Sequence, residues 1–172
     1  DVVWKIALLA IACGLLSIIF CLLLKGAGTA FSKLHINRYF QIFVGGTIFI
    51  VINILLDTKD FLGAGMPVIE RAVEGEVVWY AFIMKMLLTA LCIGAGYKGG
   101  EIVPSLFIGA TFGNLFAHLF GLPTSLAVAC GMAGLFVGVT NCPIASLLII
   151  SELFGFREGN IYFLLAITIS YI

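Results

Sequence analysis

The feature that most constrains the fold is an apolar run near the start of the chain, residues 2–24, which only Lys5 and Ser17 interrupt. At 1.5 Å per residue, a helix of about 23 residues crosses the roughly 30 Å hydrocarbon core of a bilayer. A second apolar run, residues 39–56, is about 18 residues long and is expected to return across the membrane. Because helices satisfy their own backbone polar groups in lipid, the two runs predict an all-α integral membrane protein.

The composition of the chain supports the same class. Of its 172 residues, 62% are hydrophobic and 10% are charged, whereas a soluble domain is roughly 45–50% apolar and about 25% charged. The formal net charge is zero and the basic residues form no patch with interleaved aromatics, so no nucleic-acid partner is expected. The five cysteines lie in apolar segments without CxxC spacing and are interpreted as packing residues, and no metal or other cofactor is implied.

Charged residues between the apolar runs predict the orientation of the chain. Segment 25–38 contains basic residues and no acid, which places it in the cytoplasm by the positive-inside rule. Gly26 and Gly28 are expected to end or bend the first helix there. Segment 57–76 has an acidic balance that fits the other side of the membrane. We therefore expect a multi-pass protein of the plasma membrane. The basic residues of the first segment are Lys25, Lys33, His35 and Arg38.

A glycine-rich break, residues 94–100, ends one apolar run, and a new helix begins through Pro104. Proline suits the first turn of a helix, and glycines allow the backbone to come close to a ligand. The unpaired N–H groups and the positive dipole end of such a helix attract an anion. The break therefore predicts an anion site at the start of a helix over residues 102–120.

Two further breaks, residues 61–67 and 139–143, precede short segments. Segment 144–154, about 11 residues long, is too short to span a bilayer, and broken helices of this kind are typical of transporters. In total the sequence predicts about five long and two or three short helices. Small residues at helical spacing are expected to let helices approach closely: Gly109, Gly113, Gly131, Gly134 and Gly138.

Lys85 is the charged residue inside the apolar run 77–93. The alternatives for it are extension to the membrane interface, pairing with a buried acid, or a position in the lining of an ion pathway. Glu152 is interpreted as a packing residue near a helix end, and His35 and His118 as interfacial residues.

Residues 98–113, KGGEIVPSLFIGATFG, resemble the G-x-F-x-P signature segment of CLC chloride channels and proton-coupled anion antiporters. Four further segments are similar to motifs of this family in the same order, and they extend the resemblance over nearly the whole chain. These segments are GAGMP at 63–67, ACGMAGL at 129–135, NCP at 141–143 and IISEL at 149–153.

The resemblance implies a CLC-type half-repeat with broken and tilted helices. Residues 1–172 would be the C-terminal half of the transmembrane domain, a fragment that lacks the first half-repeat and the last helix. In the family, two inverted half-repeats surround an anion pathway near the middle of the membrane. The family's gating glutamate, serine and pore tyrosine would lie outside this sequence. The implied partners are a halide anion, a proton in the antiporters, the lipid bilayer and a second copy of the subunit in a homodimer.

The resemblance carries the anion-binding set to Gly100, Glu101, Ile102, Val103 and Pro104, with the amide groups of Ile102 and Val103 as donors. Ile102 stands where the family has phenylalanine, and Glu101 stands where an apolar residue is usual. A glutamate there looks like the fluoride-exporting branch, whose segment often reads G-E-V-T-P, although Val103 replaces its threonine. We favour fluoride/proton antiport, with a chloride channel or chloride/proton antiporter as the alternative and a non-transporting structural module as a remote one.

Glu101 has two interpretations that the sequence leaves open. One is a proton-carrying or selectivity-setting acid at the anion site, since a carboxyl beside an anion must be protonated or paired. The other is an acid stabilised by the helix dipole or by Lys98. An intramembrane serine protease is not expected, because G-x-S-x-G is absent and both histidines lie at segment ends. The chain is therefore predicted not to be an enzyme.

Overall fold

Eight α-helices make up the computed structural model, which describes residues 2–33, 37–57, 59–155 and 159–171, and no strand occurs among these residues. Five of the helices have 15 to 32 residues and three have 9 to 12, which confirms the predicted pattern of long and short segments. They are α1 (Val2–Lys33), α2 (Arg38–Leu55), α3 (Met66–Glu74), α4 (Ala81–Ala95), α5 (Ile102–Phe120), α6 (Thr124–Thr140), α7 (Pro143–Phe154) and α8 (Asn160–Tyr171).

Three of these helices, α1, α2 and α5, are long and apolar enough to cross a membrane, with mean hydropathies of 2.9, 1.6 and 1.4 over their best windows. In α2 only 11% of that window is buried inside the fold. An apolar helix with so little protein around it is expected to face lipid, because soluble proteins rarely expose contiguous apolar surface of this kind. The described helices therefore fit an integral membrane protein.

The course of α1 corrects the prediction for Gly26 and Gly28. The helix continues through both glycines and ends at Lys33, so that it has 32 residues. A Cβ added at either glycine would meet nothing within 4 Å. A glycine costs a helix interior about 1 kcal/mol relative to alanine, and that cost alone does not end a helix with long apolar flanks.

The basic residues predicted to lie in a cytoplasmic loop lie largely on helices. Lys25 and Lys33 belong to the C-terminal part of α1, and Arg38 is the first residue of α2. His35 lies outside the described residues. The positive charges therefore flank the α1–α2 junction. The part of the chain predicted to face the cytoplasm thus consists largely of the end of α1 and the start of α2, and not of a long loop.

Glycines allow α5 and α6 to pack closely against each other, as their spacing predicted. A Cβ added at Gly109 would lie 2.6 Å from the Gly131 carbonyl oxygen and 2.7 Å from the Met132 Cα. A Cβ at Gly113 would collide with the Ala127 carbonyl oxygen in the same way. The two helices therefore touch through main-chain atoms, and any side chain at these positions would separate them.

Helix α6 lies at the centre of the fold, and residues 127–137 are all buried. It packs against α1, where a Cβ at Gly134 would come within 3.1 Å of the Cys13 Cβ. It also packs against α8, from which the Ser170 hydroxyl donates to the Gly134 carbonyl at 2.8 Å. The glycines of α6 thus face α1 and α8 as well as α5.

The predicted breaks lie where the sequence placed them. Helix α4 ends at Ala95, and the next residue, Gly96, has a φ of 100°, in the left-handed region that glycine adopts without strain. Helix α5 has the predicted bounds. Asn141, at φ 55°, ends α6, and α7 begins two residues later at Pro143 with 12 residues. The glycine and proline pattern therefore predicted the interruptions of the helices correctly.

Candidate anion site

The first turn of α5 carries amide groups that are available to a ligand. Within the described chain, the first N–H of this turn to find an acceptor is that of Ser105, which donates to the Glu101 carbonyl at 3.0 Å. Pro104 has no N–H, so Ile102 and Val103 supply the unused amide donors of the helix start. The positive end of the helix dipole lies at the same point. This arrangement suits an anion.

A buried hydroxyl supports the same turn. Ser105 is fully buried, and its Oγ donates to the Ile102 carbonyl at 2.6 Å. This bond fixes the first residues of α5 without using either free amide. The Glu101 side chain makes no capping hydrogen bond to the helix. The amide groups of Ile102 and Val103 are therefore not occupied by a side-chain cap.

A cavity of about 180 Å³ lies beside the helix start. Residues of α4 at positions i, i+3, i+4 and i+7 form one wall, as expected for a single helix face. The glycine-rich break and the segment before α3 form other parts. The lining residues are Phe49, Phe61, Gly63, Lys85, Leu88, Thr89, Cys92, Ile93, Gly99, Gly100 and Pro104.

The five predicted anion-site residues divide into two groups. Gly100 and Pro104 line the cavity. Glu101, Ile102 and Val103 do not line it, and the last two side chains are 49% and 39% exposed. The cavity thus reaches the two residues that flank the amide donors, while the side chains of the donors point elsewhere.

Glu101 occupies the position directly before α5, with helical backbone angles of φ −84° and ψ −11°. Its side chain is exposed and lies within electrostatic range of Cys21 on α1. Among the residues that the structure describes, it forms no ion pair with Lys98. The carboxyl therefore stands beside the amide donors without a salt-bridge partner in this part of the chain.

Lys85 lines the cavity and is 4% exposed. Its Nζ donates to the Phe61 carbonyl at 3.1 Å and to the Gly63 carbonyl at 2.8 Å. The same atom lies 4.9 Å from the centre of the Phe107 ring, which is cation–π distance. Of the three alternatives that the sequence left open, the structure places Lys85 in the wall of a cavity, with carbonyl oxygens in place of an acid.

Phe107 connects this region to the start of α3. It is fully buried and lies 6.3 Å from the Phe61 ring, centre to centre. Gly65, the residue before α3, has a φ of 72°, and a Cβ there would approach the Phe107 ring to 2.5 Å. The left-handed glycine therefore lets the start of α3 rest against the aromatic ring that contacts Lys85.

Two polar contacts that the sequence did not predict hold α5 in place. Asn114 is buried, and its Nδ2 donates to the Ala72 carbonyl near the end of α3 at 2.7 Å. Lys5 on α1 donates to the Phe120 carbonyl at the end of α5 at 2.7 Å. Both contacts join segments distant in sequence, and the only signal for Asn114 was a polar residue inside an apolar run.

The remaining charged candidates lie away from the cavity. Glu152 on α7 is exposed. His118 Nε2 lies 3.1 Å from the Gly75 carbonyl oxygen. Within the described ranges, no group of three or more His, Cys, Asp and Glu side chains is placed to hold a metal ion.

The chain is similar along its length to one group of known proteins. The family described as "Voltage gated chloride channel" matches residues 1–172. A "Chloride/fluoride channel protein" of Pseudomonas syringae pv. tomato is 30% identical over 83% of this chain and 33% of its own length. An "H(+)/Cl(-) exchange transporter ClcA" of Vibrio campbellii is 27% identical over 97% of this chain and 38% of its own length.

A solved structure has the same fold. The crystal structure of a CLC-type fluoride/proton antiporter matches with a TM-score of 0.92 and 27% identity, covering 99% of this chain and 43% of that one. The present chain therefore spans about a third of the length of the two curated relatives, at 33% and 38%.

Proposed function

The chain belongs to the voltage gated chloride channel family, as residues 98–113 predicted, and on that premise we propose that the full protein moves a halide anion across a membrane. The favoured form is exchange of fluoride for protons. The chain would supply one wall of the pathway, as the C-terminal half of the transmembrane domain. The other half-repeat would supply the facing wall.

The observation that carries this proposal is the start of α5. Two amide donors without acceptors in the described chain, the positive helix dipole and a neighbouring cavity meet at one interrupted helix. A halide that enters a water-poor site loses part of its hydration shell, and oriented N–H groups replace it. The site needs no covalent step and no cofactor, and the proposed activity is transport and not enzymatic catalysis.

Fluoride is favoured over chloride by Glu101 and by the names of two similar proteins. Glu101 brings an ionisable carboxyl next to the amide donors, where a proton and an anion would compete or travel together. The Pseudomonas relative is named for chloride and fluoride, and the solved structure is named a fluoride/proton antiporter. Val103 and the Vibrio relative, named an H(+)/Cl(-) exchanger, favour the alternative of chloride/proton exchange.

The test is an ion-flux measurement on the full-length protein in liposomes loaded with fluoride or chloride. Ion-selective electrodes record efflux, and a pH indicator inside the vesicles records proton movement. We expect fluoride to leave faster than chloride and to drive proton entry. Faster chloride efflux with coupled protons would support the chloride alternative, and efflux of neither halide above empty liposomes would leave only the structural module.

We further propose a multi-pass protein of the plasma membrane that acts as a homodimer. The α2 surface, of which little is buried inside the fold, suits a bilayer environment. The purified full-length protein should have twice the subunit mass in light scattering corrected for detergent. A monomer that retained full halide flux would contradict the dimer.

A further inference from the structure

We propose that the cavity beside α5 is an anion-holding compartment and that Lys85 provides its positive charge. The inference rests on the proposed halide transport and assigns a binding role to a residue outside the amide motif. Lys85 would raise the concentration of halide in front of Gly99, Gly100 and Pro104, so that the amide donors of α5 are supplied with the ion.

The charge balance around Lys85 favours an anion in the cavity. Its side chain is 96% buried, since only 4% is exposed. Across residues 2–33, 37–57, 59–155 and 159–171, no carboxylate pairs with its ammonium group. A buried charge is costly unless an opposite charge or several hydrogen bonds compensate it. The two carbonyl oxygens of Phe61 and Gly63 use two of the three N–H donors. An anion in the adjoining cavity would supply the missing negative charge.

The position of Lys85 in the cavity wall also favours this role. Lys85, Thr89 and Cys92 stand on one face of α4, and all three line the same cavity as Gly99 and Gly100. A volume of about 180 Å³ exceeds the roughly 30 Å³ that one water occupies in the liquid. The compartment therefore has room for a halide together with several waters.

The contacts of the Lys85 ammonium group hold its charge in a fixed place. The Phe61 and Gly63 carbonyls bind the ammonium from the segment before α3, and the Phe107 ring from α5 lies against it. An exposed lysine moves freely and is screened by solvent. A buried, tethered lysine keeps a constant positive potential in the cavity, which attracts anions and repels cations.

Native Cys92 provides a direct test, because it lines the cavity two helical turns from Lys85, about 10 Å along the axis. The full-length protein is treated with a sulfonate-bearing or a trimethylammonium-bearing methanethiosulfonate, and mass spectrometry measures modification of each cysteine. We expect Lys85→Gln to lower the anionic-to-cationic rate ratio at Cys92 about tenfold, since a unit charge at this distance changes both rates in opposite directions. The ratio at exposed Cys142 should stay constant.

Two variants separate charge from structure. Gln retains N–H donors for the Phe61 and Gly63 carbonyls but has no charge, whereas Lys85→Arg retains the charge. The proposal expects the Arg variant to keep the wild-type ratio at Cys92 and the Gln variant to lose it. A ratio that is unchanged in Lys85→Gln would overturn the proposal and leave Lys85 with a purely structural role.

A measurement on the wild-type protein does not depend on whether the variants fold. Sodium fluoride or sodium chloride, compared with sodium gluconate at equal ionic strength, should slow the anionic reagent at Cys92 several-fold and leave Cys142 unaffected. Equal rates in all three salts would exclude a halide beside Lys85. Neither reaction requires transport, so failure of halide flux and failure of this inference can be told apart.

Discussion

At the scale of single residues, Glu101 and Lys85 carry opposite charges on different sides of the same helix start. Lys85 is buried in the cavity wall, and Glu101 is exposed, outside the cavity and near Cys21 of α1. An anion at the amide groups of Ile102 and Val103 would be attracted by the first and repelled by the ionised form of the second. The protonation state of Glu101 therefore decides whether the carboxyl opposes anion binding.

Replacing Glu101 by glutamine removes this ionisation and keeps a polar side chain of the same size. We expect Glu101→Gln to reduce fluoride-driven proton entry into liposomes at least tenfold, because the carboxyl proposed to carry the proton is gone. The fluoride efflux itself is expected to continue, since the amide donors of α5 belong to the backbone. Paired electrode and pH-indicator traces on the full-length protein measure the two quantities.

The matched control is Glu152→Gln on α7, which changes an exposed acid away from the cavity. Its coupling should equal that of the unmodified protein. Glu101→Gln is compared with this control for coupling and for the preference between halides. If both quantities were unchanged, the only remaining role of Glu101 would be that of an acid stabilised by the dipole of α5.

Sequence reasoning found the residues whose role depends on local backbone geometry. Proline at the first turn and glycines before it predicted the start of α5, because both act within a few residues. The contacts of Lys85 and Asn114 were not predictable, because each joins atoms 22 to 42 residues apart in the chain. Which carbonyl oxygens an ammonium meets depends on how α3, α4 and α5 pack, and one sequence does not contain that information.

At the scale of helices, the same residue type has opposite roles in α1 and α5. Gly109 lies against the main chain of α6, whereas Gly28 in α1 meets nothing within 4 Å. The sequence correctly predicted that glycines at helical spacing would pack. It predicted that Gly26 and Gly28 would end or bend α1, and the helix does not end at either glycine. Both outcomes depend on what lies opposite each glycine.

Alanine at Gly109 and alanine at Gly28 should therefore have opposite effects on stability. Gly109→Ala places a Cβ 2.6 Å from the Gly131 carbonyl oxygen, and forcing the helices apart is expected to cost about 1–3 kcal/mol. Gly28→Ala fills open space in a helix interior and is expected to stabilise by about 0.5–1 kcal/mol. Thermal unfolding of the purified full-length variants in detergent compares them.

The unfolding midpoint should fall for Gly109→Ala and rise slightly or stay unchanged for Gly28→Ala. A midpoint for Gly109→Ala equal to that of the unmodified protein would mean that α5 and α6 are not in main-chain contact in the membrane domain.

At the scale of the whole molecule, the charge pattern predicts how the helices stand in the membrane. Lys25, Lys33 and Arg38 flank the α1–α2 junction, and the segment around α3 carries five of the nine acidic residues. The positive-inside rule predicts that the junction faces the cytoplasm and that the α3 segment lies on the opposite side. Helix order and most helix bounds were predictable from the apolar runs, with the end of α1 as an exception. The arrangement of the helices around α6 was not predictable, because contact between helices depends on surface shape.

Cysteine labelling tests this orientation in cells. Ser32→Cys lies at the end of α1 and Glu76→Cys follows α3, and both positions are exposed. In a background with Cys92→Ser and Cys142→Ser, a membrane-impermeant maleimide should label Glu76→Cys in intact cells and Ser32→Cys only in inverted vesicles. Labelling of Ser32→Cys from outside would reverse the orientation that the charges predict.

The main-chain contact between α5 and α6 also limits how this protein can evolve. At Gly109, Gly113 and Gly131 every substitution adds at least a Cβ, and that atom would collide with the main chain of the other helix. A library of random variants selected for survival in fluoride should recover almost no substitutions there, while the lipid-facing positions of α2 accept many. Adaptation to a different halide would then have to proceed elsewhere in the cavity wall, for example at Gly99 and Gly100, where an added Cβ would meet nothing within 4 Å.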